Sequence, residues 1–175
     1  MTPELARRLA LPAGGKAKIV AVTVDPDDAL LDWLMGDLTP DFIQLHGDES
    51  PSRVREVAAR TGAGVIKAIA VAGAGDVAAA AAYAPVADYL MFDAKAPQGS
   101  TLPGGTGTTF NWTLLADLRL DRPWFLAGGL DPWNVAEALG QARAPMVDVS
   151  SGVERGAGLK DPALIQSFLE AVRRA

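Results

Sequence analysis

The stretches YLMFD (89–93), WFLAGG (124–129) and MVDVSSG (146–152) are apolar almost without a break, and they end on a carboxylate, a diglycine and a Ser-Ser-Gly. A strand with one face in water alternates apolar and polar residues, whereas a strand covered on both faces does not. These runs therefore predict strands of a parallel sheet layered with helices. Working outward, KIVAVTV (18–24), FIQLH (42–46) and VIKAIAV (65–71) have the same character. The six runs begin at 18, 42, 65, 89, 124 and 146, roughly 24 residues apart except where the 94–110 loop is inserted. That is the period of a strand–helix repeat.

The intervening segments carry helix signals. Asp25-Pro26, Ser50-Pro51, Asp131-Pro132 and Asp161-Pro162 each pair a capping residue with proline at the first helical position. Gly62 is placed to end the second of these helices. In the last helix Leu164, Ile165, Phe168, Leu169 and Val172 fall on one face. GAGDVAAAAAYA (73–84) is helical by alanine content, and TPELARRLAL (2–11) opens the chain as a helix with no strand before it.

Right-handed strand–helix–strand units close into a barrel or form an open doubly wound sheet. A complete eight-unit barrel at this spacing needs on the order of 200 residues. The 175-residue chain is thus read as one α/β domain, 1–175, of the (β/α)8 TIM-barrel type but incomplete, with six parallel strands and the first two missing. A flavodoxin-like open sheet is the alternative.

The formal net charge of −5, with no basic block, argues against nucleic-acid or anionic-membrane partners. With no cysteine and one histidine, disulfides, thiolate metal sites and thiol nucleophiles are excluded from this sequence, and the imidazoles are too few for a His-rich metal site. The opening residues contain no apolar signal region, and no run of ~20 strongly apolar residues is present. The expected compartment is the cytoplasm.

Parallel α/β folds collect ligands at the C-terminal ends of their strands. The polar residues there are Gln44, His46, Asp93, Gly128, Gly129, Asp148, Ser150, Ser151 and Gly152. Asp93 leaves a dry strand at the mouth of the site, where burial would raise its pKa toward that of a general acid. Position alone leaves a structural role open, as a cap of the following loop or as a partner of Lys95. Gly128-Gly129 and Ser151-Gly152 follow the last two strands, where backbone amides can hold a phosphate without a basic patch; each alone is also an ordinary turn. His46 is read either as a ligand contact or as a hydrogen-bonded loop histidine. The loop 99–107 is long enough to close as a lid. Trp33, Trp112, Trp124 and Trp133 are taken as packing residues.

FIQLHGDES, YLMFDAKAP, LPGGTGTTFNW, FLAGGLDPWNV and VDVSSGVE followed by GLKDP, in this order, resemble the phosphoribosylanthranilate isomerases of tryptophan biosynthesis. The resemblance runs from TPELARRLA to the final helix. It implies a cofactor-free Amadori rearrangement of a small phosphosugar, N-(5′-phosphoribosyl)anthranilate. By the same resemblance Asp93 is the acid that opens the furanose ring. Gly128, Gly129, Ser151 and Gly152 bind the phosphate, and Asp148 faces the substrate near the anthranilate amine or ribose, while Gln44 and His46 are taken as substrate contacts from their place at the end of their strand. An indoleglycerol-phosphate-type barrel is the neighbouring alternative, for which Lys67 is the candidate acid.

Members of the resembled family begin with a strand of the Lys-Ile-Cys-Gly type, whose cysteine is the base, and carry a Ser-Pro-Arg segment that binds the anthranilate carboxylate. This sequence has neither. Arg7 and Arg8 are read as surface residues of the first helix. The expectation is that the natural chain begins upstream, with Met1 an internal position; the alternative is a non-catalytic phosphosugar-binding or interaction module. The intact acid and phosphate motifs favour the first. A six-strand sheet of this kind exposes two apolar edges, which imply a homodimer or aggregation.

Overall fold

The computed structural model describes residues 2–13, 15–95 and 109–175. Helix α1 (Pro3–Ala10) is followed by β1 (Val20–Thr23), α2 (Asp28–Trp33), β2 (Phe42–Leu45), α3 (Pro51–Thr61), β3 (Gly64–Val71), α4 (Ala74–Ala79) and β4 (Tyr89–Ala94). A 3-10 turn at Trp112–Leu115 leads to β5 (Trp124–Leu126), α5 (Val135–Ala142), β6 (Met146–Val147), a short hairpin of β7 (Glu154–Gly156) and β8 (Leu159–Lys160), and α6 (Pro162–Arg174). The expected lid at 99–107 lies outside the described residues.

All six main strands are parallel and pair in sequence order, β1-β2-β3-β4-β5-β6. A doubly wound sheet reverses its strand order at a switch point. This sheet does not, so the flavodoxin-like alternative fails and the barrel-type reading holds. Residues of β1 and of the segment after β6 line the same cavity, so the sheet curls until its two ends face each other.

Two apolar layers follow from the pleat. Ile43, Leu45, Val65, Ile69, Leu90, Phe92 and Leu126 pack beneath the helices, against Val54, Val57 and Val135. Ile66, Ala68, Met91 and Ala127 fill the concave side with Phe42, Tyr89 and Phe125. Phe92 meets Trp124 edge-on at 5.4 Å between ring centroids.

Among the described residues, β1 pairs only with β2, and β6 only with β5. Val20, Val22 and Val24 are exposed along the β1 side, beside a groove of about 710 Å³ that also includes Leu9 and Leu30. The apolar edge expected from the six-strand reading is present.

Several local expectations are corrected. Asp27, not Asp25, caps α2 by accepting from Leu30 N at 2.8 Å. Asp25 has φ 44° and instead accepts from Asp48 N. Asp131 closes a turn by accepting from the Trp133 and Asn134 amides, which delays α5 until Val135. The caps at Ser50 and Asp161 and the left-handed Gly62 are as the sequence predicts. On α6 only Phe168 is fully buried, Leu164 and Val172 are half-buried, and Ile165 and Leu169 are exposed because no described element covers that flank. Trp112 and Trp124 are core residues, but Trp133 is 79% exposed, standing on the Asp131 turn rather than on a packed helix.

Candidate active site

The alternation of the strands sorts the polar residues before any distance is considered. On β2 and β4 the residues in step with Phe42 and Tyr89 face the concave side, and these include Gln44 and Asp93, with His46 just beyond the strand. Lys67 is out of step with Ile66 and Ala68, so it lies on the helix-covered face, 2% exposed. The one lysine suited to indoleglycerol-phosphate-type chemistry is thereby removed from the cavity.

Gln44, His46, Asp93, Gly128, Gly129, Asp148 and Ser151 line one cavity of about 430 Å³ at the C-terminal ends of the strands. Gln44 Nε2 lies 3.0 Å from His46 Nδ1 and 3.4 Å from Met91 Sδ. The amide nitrogen can only donate, so it gives its hydrogens to both neighbours, and His46 Nδ1 is the acceptor and carries no hydrogen. The ring proton then sits on Nε2, which donates to Asp93 Oδ2 at 3.0 Å. Asp93 is 6% exposed and is held by His46 rather than by Lys95. Its other oxygen, Oδ1, lies toward Gly128.

Asp148 is an exposed residue of the cavity wall. Lost hydration and the Asp93 carboxylate push its pKa up, while His46 and Lys160 pull the other way.

Beside Asp93, Gly128 and Gly129 have φ of 86° and 62°. Two successive left-handed residues turn the chain sharply where β5 ends, a conformation glycine adopts without strain. A Cβ at Gly128 would stand 2.4 Å from Ala94 N. Asn134 Nδ2 donates to Gly129 O at 2.9 Å and fixes the turn to the start of α5. Gly152 does not line the cavity; it packs behind the wall, where a Cβ would meet Leu130 O at 1.9 Å.

Sequence reasoning missed Lys160. It reaches the cavity from the β7–β8 hairpin, with Nζ donating to Ser150 O at 2.8 Å and Ser150 Oγ at 3.2 Å, and it pairs with Glu154 at 2.7 Å. The GLKDP stretch was the available signal, but a two-residue strand gives no periodicity from which to orient the side chain.

A family model described as N-(5′phosphoribosyl)anthranilate (PRA) isomerase matches residues 3–171. The chain belongs to the PRA isomerase family. The Caulobacter vibrioides N-(5′-phosphoribosyl)anthranilate isomerase is 62% identical over 176 residues, covering 100% of this chain and 80% of the relative. The crystal structure of the Thermotoga maritima isomerase superposes with a TM-score of 0.86 at 32% identity, covering 100% of this chain and 82% of that one. A PRA isomerase structure in complex with reduced 1-(o-carboxyphenylamino)-1-deoxyribulose 5-phosphate matches with a TM-score of 0.82 at 30% identity, over 100% of this chain and 81% of that one. In this PRA isomerase family member, no helix among the described residues is long and apolar enough to cross a membrane.

Proposed function

We propose that this chain, as a single domain, has the activity that carries N-(5′-phosphoribosyl)anthranilate to 1-(2-carboxyphenylamino)-1-deoxyribulose 5-phosphate in tryptophan biosynthesis, with turnover by the 175-residue chain itself impaired by the absence of the family's cysteine base. One observation carries the reading: a buried carboxylate anchored through one oxygen shares a cavity with the paired left-handed glycines after β5. His46 occupies Asp93 Oδ2, which leaves Oδ1 to carry the transferable proton. Asp93 gives that proton to the furanose ring oxygen; the C1′–O bond breaks and the anthranilate nitrogen supplies the electrons, forming the Schiff base. Loss of the C2′ proton then yields the enolamine, which tautomerises to the ketose. The family resemblance assigns the C2′ proton to a cysteine, and this chain has none. Gly128, Gly129 and Ser151 hold the phosphate with Lys160 as its cation, Gly152 keeps that wall in place, and Gln44 and Asp148 orient the remainder of the substrate.

The test compares Asp93→Asn with wild type, in this chain and in the same chain joined to the fifth of the Caulobacter vibrioides relative that the match leaves uncovered. Affinity for the reduced product analogue should stay within about threefold, since the amide-lined end is untouched, while turnover of the joined protein should fall by roughly 10²- to 10⁴-fold. Equal losses of binding and turnover would refute the division of roles.

The exposed β1 edge and the groove beside it further support a homodimer, formed by burying Leu9, Val20 and Leu30 against a second copy. Val20→Lys should shift sedimentation equilibrium toward monomer. An unchanged association constant would exclude this edge.

A further inference from the structure

We infer that the buried Lys67–Glu49 pair is a positioning device for the acid, fixing the His46 ring and, through it, the Asp93 carboxylate. The inference rests on the assignment of Asp93 given above. Lys67 and Glu49 lie outside the cavity, on the helix side of the sheet, with side chains 2% and 1% exposed and Nζ 2.8 Å from Oε2. Charges so placed are costly unless every lone pair and proton finds a partner, and here the partners are all on the strand ends around the site. Lys67 Nζ also donates to Leu45 O at 3.3 Å and Gly47 O at 2.7 Å, the carbonyls on either side of His46. Glu49 Oε1 accepts from Asp25 N at 2.9 Å and Gly47 N at 3.1 Å, and Oε2 accepts from Gly47 N at 3.1 Å.

The consequence is geometric. The pair ties together the ends of β1, β2 and β3 at the point where the chain leaves β2 with His46, whose own amide donates to Thr23 O at 2.9 Å. Asp25 closes the ring by accepting from Asp48 N at 2.9 Å, and its carboxylate lies so close to Gly47 that a Cβ there would stand 2.4 Å from Asp25 Oδ1. Residues 45–49 are therefore held at both carbonyl and amide positions. The His46 backbone has little freedom left, and the imidazole is set to bridge Gln44 and Asp93. An apolar pair of similar volume could fill the same space, but it would supply none of these bonds. Charge at this place thus serves orientation, and not packing alone.

His46 is the single histidine of the chain, so the test reads its ring directly in the unliganded protein. Nitrogen-15 spectra of wild type should show one fixed tautomer, with Nδ1 as acceptor and Nε2 protonated. Glu49→Gln, nearly isosteric, should keep cooperative melting while the ring nitrogens move toward tautomer-averaged positions; Lys67→Met should do the same. Should either variant fail to fold, the doubly apolar Lys67→Met/Glu49→Leu protein takes its place. A folded variant that retains the wild-type tautomer signature would overturn the inference. So would failure of all three variants to fold, because the pair would then be a folding determinant. Turnover plays no part in the readout, so an error in the assigned reaction would leave the result interpretable.

Discussion

Gly128→Ala gives a sharp test of the turn beside the acid. The new Cβ meets three atoms, Ala94 N at 2.4 Å, Ala94 Cβ at 2.7 Å and Asp93 Oδ1 at 2.9 Å, and the first two belong to β4 itself, with no flexible end to swing aside. The backbone adds a separate cost, since φ of 86° places alanine in the left-handed region at about 1–2 kcal/mol. Forcing a methyl into a closed space adds about 1–3 kcal/mol. The sum is a loss of about 2–5 kcal/mol. Gly140 in α5 is the internal control: a Cβ there would have no atom within 4 Å, and alanine in a helix gains about 0.5–1 kcal/mol over glycine. Urea unfolding of both variants should therefore show the same chemical change with opposite signs, separated by at least about 2.5 kcal/mol. If the two agreed within about 1 kcal/mol, the close packing of β5's end on β4 would be refuted.

Asp148→Asn should stabilise the protein at neutral pH. The folded state raises the Asp148 pKa above its ordinary 3.8, so its charged form costs stability above the raised value, and that cost fades as pH falls through it and vanishes below the ordinary one. Denaturant melts of the two proteins should converge in acid; a difference that grows on acidification would contradict the sign. Lys160→Met should weaken binding of inorganic phosphate by roughly two- to tenfold at low salt, and less at high salt, because the lysine is half-exposed. Calorimetric titration at two ionic strengths checks this, and a salt-independent loss would argue against a direct charge contact.

The strand–helix order was legible because parallel strands buried on both faces leave continuous apolar runs, as in VIKAIAV and YLMFD. Asp93 was legible for a related reason, since a carboxylate after four apolar residues has to emerge at a strand end. Its partner was not. Whether Asp93 meets Lys95 or His46 depends on the register of β2, β3 and β4, a long-range property that puts Gln44 and His46 on the concave side with Asp93. The pleat likewise disposed of Lys67, the candidate acid in VIKAI, because it falls on the helix-covered face of β3. The early start expected for α5 failed for a local reason: Asp131 satisfies the Trp133 and Asn134 amides in a turn, a bond that competes with the helical cap. Ile165 and Leu169 share the apolar face of α6 in the sequence, yet their side chains stand on an uncovered flank, and no pattern within a helix reports what lies beyond it.

The central claim is that Asp93, braced by His46, and the Gly128–Gly129 turn act on one ligand. Nuclear magnetic resonance titration of this chain with reduced 1-(o-carboxyphenylamino)-1-deoxyribulose 5-phosphate tests it most directly, with the lone His46 ring reporting on the acid and the Gly128, Gly129 and Ser151 amides on the phosphate-holding turns. Both sets of signals should move along a single saturation curve of one ligand per chain. Movement of one set only, or of neither, would contradict the account.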